Sequence, residues 1–360
     1  MPGGTARATV ETVRALGRHE DVDVVPLAAW HRSASRDRAD ELGDGVGPVN
    51  HVPLPRPVLY ESWLRFRRPV VESLVGPVDV VWASSMIMVP SRSAPVVATV
   101  HDLGFLDRPE QSSRRGRDFF PRAWEAVRRH ADRVVCPSRV VADECAGRGI
   151  APERLSVVPW GVEPPQSTEA DATAVRARFG LPDRFVLWVG TVEPRKNLPR
   201  LVEAMAALPE EHLAVVGPDG WNVDGTDLLA PLGDRVHRLG RVSEHELSAL
   251  YRAATVFVLP SVLEGFGLPV AEAMAHGTPV VTSAGTATEE VAGGAARLVD
   301  PADADALAAA IDAVTAEPDV TDRLVARGRE RAAELTWAAT AEGYRKVFAA
   351  SAADAPVGRR

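Results

Sequence analysis

Cysteine and lysine are both scarce in this chain of 360 residues, and each scarcity excludes something. The two cysteines, Cys136 and Cys145, stand nine apart with no CxxC pair and no histidine-rich segment nearby. That excludes a disulfide framework and a Cys/His zinc site, and leaves two reduced, structural thiols. Lysine occurs only at 196 and 346, so 39 of the 41 basic residues are arginine. In a chain rich in Ala, Gly, Pro and Val this reads as codon bias, and a lysine kept against it is a candidate for work that needs a compact ammonium. No window offers about 18 uninterrupted apolar residues, which argues against a helical membrane span. The opening MPGGTARATVETVRAL has no charged start followed by an apolar core, so no export signal is expected and the cytoplasm is the expected compartment. Lys+Arg 41 against Asp+Glu 49 gives a net charge of −8, which disfavours coating of nucleic acid, and no nucleic-acid partner is expected.

What is present is enough apolar residue, 46%, to bury two cores at ~150 residues per domain. Short β-branched runs alternate with helical patterns, the signature of βαβ units and parallel sheets, so the class is α/β. In the first half strands are expected near Val22 to Leu27, Val49 to Leu54, Asp79 to Ala83, Val96 to His101, Arg133 to Pro137 and Leu155 to Pro159. The second half repeats the rhythm near Phe185 to Gly190, Leu213 to Gly217, Val236 to Leu239, Val256 to Leu259, Pro279 to Thr282 and Arg297 to Val299. Pro164, Pro165 and a polar run between the halves break periodicity before a short helical stretch, and the whole reads as a connection. The expected organisation is a first domain over 1–160, a linker over 161–183, a second domain over 184–335, and a last helix with a disordered APVGRR tail over 336–360. Two such halves suggest two Rossmann-like domains facing a central cleft, where a ligand would bind.

Three stretches carry chemistry. In PSVLEGFGLPVAEAMAHGTPVV, from Pro260 to Val281, an apolar strand leads into a helix that Pro269 opens and Gly277 stops. Gly265 and Gly267 let backbone approach a ligand, the helix amino terminus offers N–H groups and partial positive charge, and Glu264 and Glu272 bracket it. That combination suits the diphosphate and hydroxyls of a sugar nucleotide. In GTVEPRKN, Gly190 to Asn197, a glycine at a strand end is followed by the cations Arg195 and Lys196. In VVATVHDL a buried strand ends at His101, where open α/β sheets bind ligands. Asp102 beside it is expected to cap the following turn.

With Glu264 and Glu272 separated by seven residues, the string EGFGLPVAE resembles the hallmark of the retaining glycosyltransferases of family 4, which have the GT-B fold. GTVEPRKN and the strand-ending His101 are similar to two further motifs of that family, and VVPWGVE resembles its signal at the end of the first domain, with Trp160 in place of a commoner polar residue. The resemblance implies that Glu264 faces the transferred sugar and Gly265, Phe266, Gly267 and Leu268 offer amides to sugar and phosphate. It implies that Glu272 binds the ribose hydroxyls, and that Lys196 and Arg195 neutralise the diphosphate. His101 is implied to hydrogen-bond the sugar. Val242, in LGRVS, is implied to lie beside the base, and Gly190 belongs to the donor site. GPDGW, Gly217 to Trp221, reads equally as a loop near the donor and as a plain turn.

The implied reaction is a front-face transfer of a hexose, mannose-type favoured, from a nucleotide-diphosphate sugar to a glycan, lipid-linked or small-molecule acceptor. No metal and no cofactor is expected beyond the sugar nucleotide as co-substrate. Arginines interleave with Trp63, Phe66, Phe119, Phe120 and Trp124, a pattern that fits either a surface lying on anionic membrane or helices with aromatic cores and solvated charge. The rival readings are a non-catalytic partner protein of the same fold and a two-domain sugar-binding protein. One further expectation concerns the start: Gly3 and Gly4 read as the glycine-rich loop of a first βα unit, with a helix from about Ala6 to Leu16, and its strand is expected to lie upstream of this chain.

Overall fold

The computed structural model describes residues 3–30, 42–43, 45–109, 114–220 and 225–354. The 355–360 tail and Trp221, both given a reading above, lie outside the described residues. The chain divides into two compact units, one made of Pro2–Gly161 with Trp337–Arg360 and the other of Val162–Thr336. The proline-bearing segment after Gly161 therefore travels with the second unit.

In the first unit, helix α1 (Gly4–Leu16) precedes strands β1 (Leu27–Trp30) and β2 (Asn50–Pro55), then α2 (Arg56–Phe66) and α3 (Glu72–Val75). Strands β3 (Val81–Ala83) and β4 (Val96–Thr99) follow, then α4 (Gly104–Asp107), α5 (Arg114–His130), β5 (Arg133–Cys136), α6 (Arg139–Gly147) and β6 (Leu155–Val157). All pairings are parallel, β1 with β2 and β3-β4-β5-β6 in a four-stranded sheet. The strand expected over Val22 to Leu27 is displaced to Leu27–Trp30, and Val24 keeps only an isolated bridge to Val46. Pro26 is the reason: it has no N–H to give a ladder, so regular pairing starts after it. The expected Gly3-Gly4 loop is also corrected. Gly3 caps α1 with φ −64°, Gly4 is its first residue, and a Cβ on either would meet nothing within 4 Å.

Every residue of β4 is buried, as a parallel strand covered on both faces should be. Cys136 and Cys145 are buried free thiols in this core, 3.8 Å apart. The last helix, α15 (Trp337–Ala353), completes the unit. The Trp82 indole donates to Thr99 Oγ1 at 2.9 Å, the Tyr344 hydroxyl meets the same oxygen at 2.9 Å, and Thr340 donates to the Pro159 carbonyl at 2.8 Å.

The second unit begins with α7 (Glu169–Phe179), then β7 (Val186–Val189), α8 (Leu198–Ala206), β8 (Leu213–Val216), α9 (Gly225–Leu229) and β9 (Val236–Gly240). It continues through α10 (Glu244–Ala253), β10 (Val256–Leu259), α11 (Leu268–His276), β11 (Val280–Ser283), α12 (Ala287–Ala292), β12 (Arg297–Val299), α13 (Ala304–Ala316) and α14 (Pro318–Glu334). Helix α7 lies inside the segment read as a linker; its buried Ala172 and Val175 give it an apolar face, and it packs on α10. The parallel sheet runs β12-β11-β10-β7-β8-β9, with β7, β8, β10 and β11 buried throughout. Between β7 and β10 the strand order reverses, and at such a point the loops leaving the carboxyl ends part and open a crevice. Among the described residues no helix is long and apolar enough to cross a membrane.

Candidate active site

The loops after β7 and β10 meet at this switch point. After β7 the chain passes Gly190 and a short 3₁₀ turn, Pro194–Lys196, before Asn197 turns left-handed (φ 53°) into α8. The two loops are stitched through main chain. Val262 N–H donates to the Arg195 carbonyl at 2.9 Å, and the Asn197 amide donates to the carbonyls of Pro260 at 3.1 Å and Pro301 at 2.7 Å. The space beside Gly190 is taken by the Lys196 stem, since a Cβ there would stand 2.6 Å from Lys196 Cδ. The glycine is thus what lets the lysine run along the strand end.

Arg195, Lys196 and Glu264 form one cluster. Lys196 Nζ donates to Glu264 Oε1 at 2.8 Å and Arg195 Nη1 to Oε2 at 2.8 Å, while the Ser261 hydroxyl adds a 3.0 Å bond to Oε1. Arg195 also pairs with Glu193 at 2.7 Å. Lys196 is 7% and Glu264 8% exposed, so these charges live in a dry environment that only pairing makes tolerable. Burial pushes the Glu264 carboxyl up, but the fields of Lys196 and Arg195 outweigh it and hold the group at about 2. Glu264 is therefore ionised at any working pH, with both oxygens engaged. Lys196 uses one of three ammonium hydrogens on Glu264, which leaves donor capacity for an anion.

Four residues on, α11 starts with no side chain capping it. Gly267 precedes it at φ 97°, and a Cβ there would press on Thr288 Cγ2 at 2.6 Å, so both conformation and space require glycine. Phe266 and Leu268 are buried. An uncapped helix amino terminus beside two cations is an anion site in electrostatic terms. Glu272 lies in the second turn of α11, 6% exposed, and accepts a 2.8 Å bond from the Tyr251 hydroxyl. Val242 is buried just before Ser243, which caps α10.

Gly190, Arg195, Lys196, Val242, Glu264, Gly265, Phe266, Gly267, Leu268 and Glu272 all belong to the second unit; His101, Gly3 and Gly4 belong to the first. His101 follows β4 with Nε2 2.9 Å from the Ser84 carbonyl oxygen, and its ring lies edge-on to Trp160 at 5.5 Å. Burial lowers its pKa, against the opposing pull of the Ser84 carbonyl and the Asp102 carboxylate. Asp102 Oδ1 accepts from Gly104 N–H at 3.1 Å, the turn-capping role expected of it. Sequence reasoning missed the bracing residues Ser261, Asn197 and Tyr251. Asn197 stands in a motif that points to it, whereas a tyrosine on the buried face of α10 carries no signal at all.

Two parallel-sheet α/β units with these loops at a switch point define a glycosyltransferase of the GT-B class. Residues 172–331 match the family model Glycosyl transferases group 1, and residues 2–165 match Glycosyltransferase Family 4. The chain is 33% identical to the MMP alpha-(1->4)-mannosyltransferase of Mycolicibacterium hassiacum over 75% of its own length and 70% of that protein. It is 40% identical to O-antigen chain mannosyltransferase B of Escherichia coli, over 42% of each chain, so less than half of that relative is spanned. Among solved structures it is similar to Anabaena Alr3699/HepE in complex with UDP-glucose, with TM-score 0.75, 18% identity and 97% of both chains covered, a likeness of fold. The chain belongs to the group 1, family 4 glycosyltransferases.

Proposed function

We propose that the protein transfers a hexose, mannose-type favoured, from a nucleotide-diphosphate sugar with retention of configuration and without a metal ion. The observation that carries this reading is the Lys196–Glu264–Arg195 cluster beside the uncapped start of α11. Two fixed cations and helix-end amides are preorganised to take up the charge that develops on a leaving diphosphate, which is where electrostatic catalysis gains most. Glu272, held by Tyr251, offers a carboxylate to ribose hydroxyls. Glu264 is poorly suited to double displacement. A retaining enzyme of that type needs one carboxyl free to attack and another able to give up a proton, whereas Glu264 is doubly paired and held ionised. Its chemistry fits a transfer in which leaving group and acceptor share one face of the sugar.

The mannosyltransferase names of two relatives support the sugar class, and the UDP-glucose complex of a fold neighbour supports the donor class. A lipid-linked acceptor is favoured by α2, on which Phe66 is 71% and Val58 52% exposed beside the exposed Arg56 and Arg65. Trp63 and Trp124, by contrast, are core residues. Flotation with anionic but not neutral vesicles, lost in Phe66→Ser, tests that part.

The main test is turnover of UDP-, GDP- and ADP-sugars with the product anomer read by NMR, with and without EDTA. Retention and chelator resistance are expected, and an inverted product or complete loss in EDTA overturns the mechanism. Lys196→Ala and Glu272→Gln should each lower turnover ~10²-fold, since each removes a charge-assisted contact.

A further inference from the structure

The first unit holds a polar atom without a partner. His101 Nδ1 is buried and, among the described residues, makes no hydrogen bond. Its other nitrogen, Nε2, faces the Ser84 carbonyl at 2.9 Å. A carbonyl only accepts, so Nε2 carries the proton, and in the neutral ring Nδ1 is a bare lone pair. A buried acceptor left empty is costly unless something fills it. Trp160 lies beside the ring. Its indole is 7% exposed and meets the imidazole at 5.5 Å and 60°. The segment that carries it is fixed from behind by the Thr340 bond to Pro159.

We propose that Trp160 is a positioning residue for His101: packed on the ring, it keeps water from Nδ1 and, with the Ser84 carbonyl, reserves that nitrogen as an acceptor for one ligand hydroxyl. The identity of that hydroxyl rests on the transferase reading; the state of the ring does not. The charged group that acts on the ring is the Asp102 carboxylate, whose pull toward the protonated form is outweighed by burial. Opening the site to water removes the burial and leaves Asp102 in place, so protonation moves up in pH. A site of this kind accepts a hydroxyl, which can donate, and rejects a fluorine in its place, which cannot.

The test is nitrogen-15 histidine NMR on the intact chain without ligand, from pH 5 to 8, in wild type, Trp160→Phe, Trp160→Ala and Trp160→Asn, with His101→Gln to assign the resonance. Wild type and Trp160→Phe should keep a protonated Nε2 and bare Nδ1 to lower pH than the opened variants. Trp160→Ala should titrate near the free value of ~6.5, and Trp160→Asn carries the same expectation if the alanine variant does not fold. With whichever of UDP-glucose, GDP-mannose and ADP-glucose is turned over, the opened variants should lose about tenfold in kcat/KM between pH 7.5 and 5.5, as a group of pKa ~6.5 dictates. Wild type and Trp160→Phe should not. A proton on Nδ1 in wild type, or one titration curve shared by all variants, overturns the proposal. Absence of turnover with every donor overturns the transferase reading instead and leaves the ring states to be judged by NMR.

Discussion

The Lys196 ammonium and the Glu264 carboxylate meet at 2.8 Å, each less than a tenth exposed, across 68 residues of sequence. Removing one partner of such a pair strands the other, which typically costs ~3–5 kcal/mol. Arg195 remains on Glu264 at 2.8 Å and softens the loss. Lys196→Ala is therefore expected to destabilise by about 3 kcal/mol in urea unfolding, and Lys196→Ala/Glu264→Gln by less than the sum of the single changes. Additive effects would mean that the two charges do not depend on each other.

Acid should act through this pair. Glu264 sits at about 2 in the folded protein against 4.5 for an ordinary glutamate, so its pairing stabilises fully above pH 4.5 and is lost as pH falls toward 2. Integrated over that window the contribution is on the order of 3 kcal/mol. The first unit has its own counterpart in Glu72, also held at about 2. Burial raises it, but the amides of Ser93 and Arg92 and the Ser91 hydroxyl lower it further. Thermal melts from pH 6 to 2.5 should fall steeply below pH 4.5 in wild type, with part of that slope absent in Glu264→Gln and another part in Glu72→Gln. A Glu264→Gln protein with the wild-type slope would contradict the depressed value.

Tyr251 donates to Glu272 Oε2 at 2.8 Å from a position 1% exposed. Tyr251→Phe keeps the ring packed on Phe257 and removes only the hydroxyl. A bond to a charged group contributes about 1.5–3 kcal/mol, so nucleoside diphosphate binding should weaken by roughly tenfold or more while the melting temperature moves little. Calorimetric titration of UDP, GDP and ADP reads this. Unchanged affinity for the preferred nucleotide would remove Tyr251 and, with it, Glu272 from the ribose site.

How far the sequence carried the reading differs by level. Strands such as Val256–Leu259 were legible because burial on both faces makes a continuous apolar run bounded by turn residues. The first strand is displaced from its expected place because hydrophobic pattern does not register that Pro26 lacks a donor, whereas the short helical stretch read after the prolines in 161–183 is α7, opened by the capping box of Thr168 and Asp171. At the site, Lys196 stood out by rarity and Glu264 by its setting, yet their mutual contact was not legible. It depends on β7 and β10 being neighbours, a fact of sheet order that no local window contains. Tyr251 was invisible for the same reason, and Trp160 was visible only as an odd residue in a motif until the His101 ring was found against it.

Gly190 offers the sharpest test of how the lysine is placed. Its φ lies outside the left-handed region, so alanine is allowed by the backbone, and the penalty comes from contact: the new methyl would stand 2.6 Å from Lys196 Cδ and 2.8 Å from Cε. Overpacking of this kind costs ~1–3 kcal/mol, and the stem must swing away from Glu264 to relieve it. Gly190→Ala should thus lower stability by that amount and reduce turnover at least tenfold with intact folding by circular dichroism. In a Lys196→Ala background the stem is gone, so the same glycine change should cost well under 1 kcal/mol more, as expected for a penalty owed to one clash. Equal penalties in both backgrounds would show that Gly190 serves the backbone rather than the lysine.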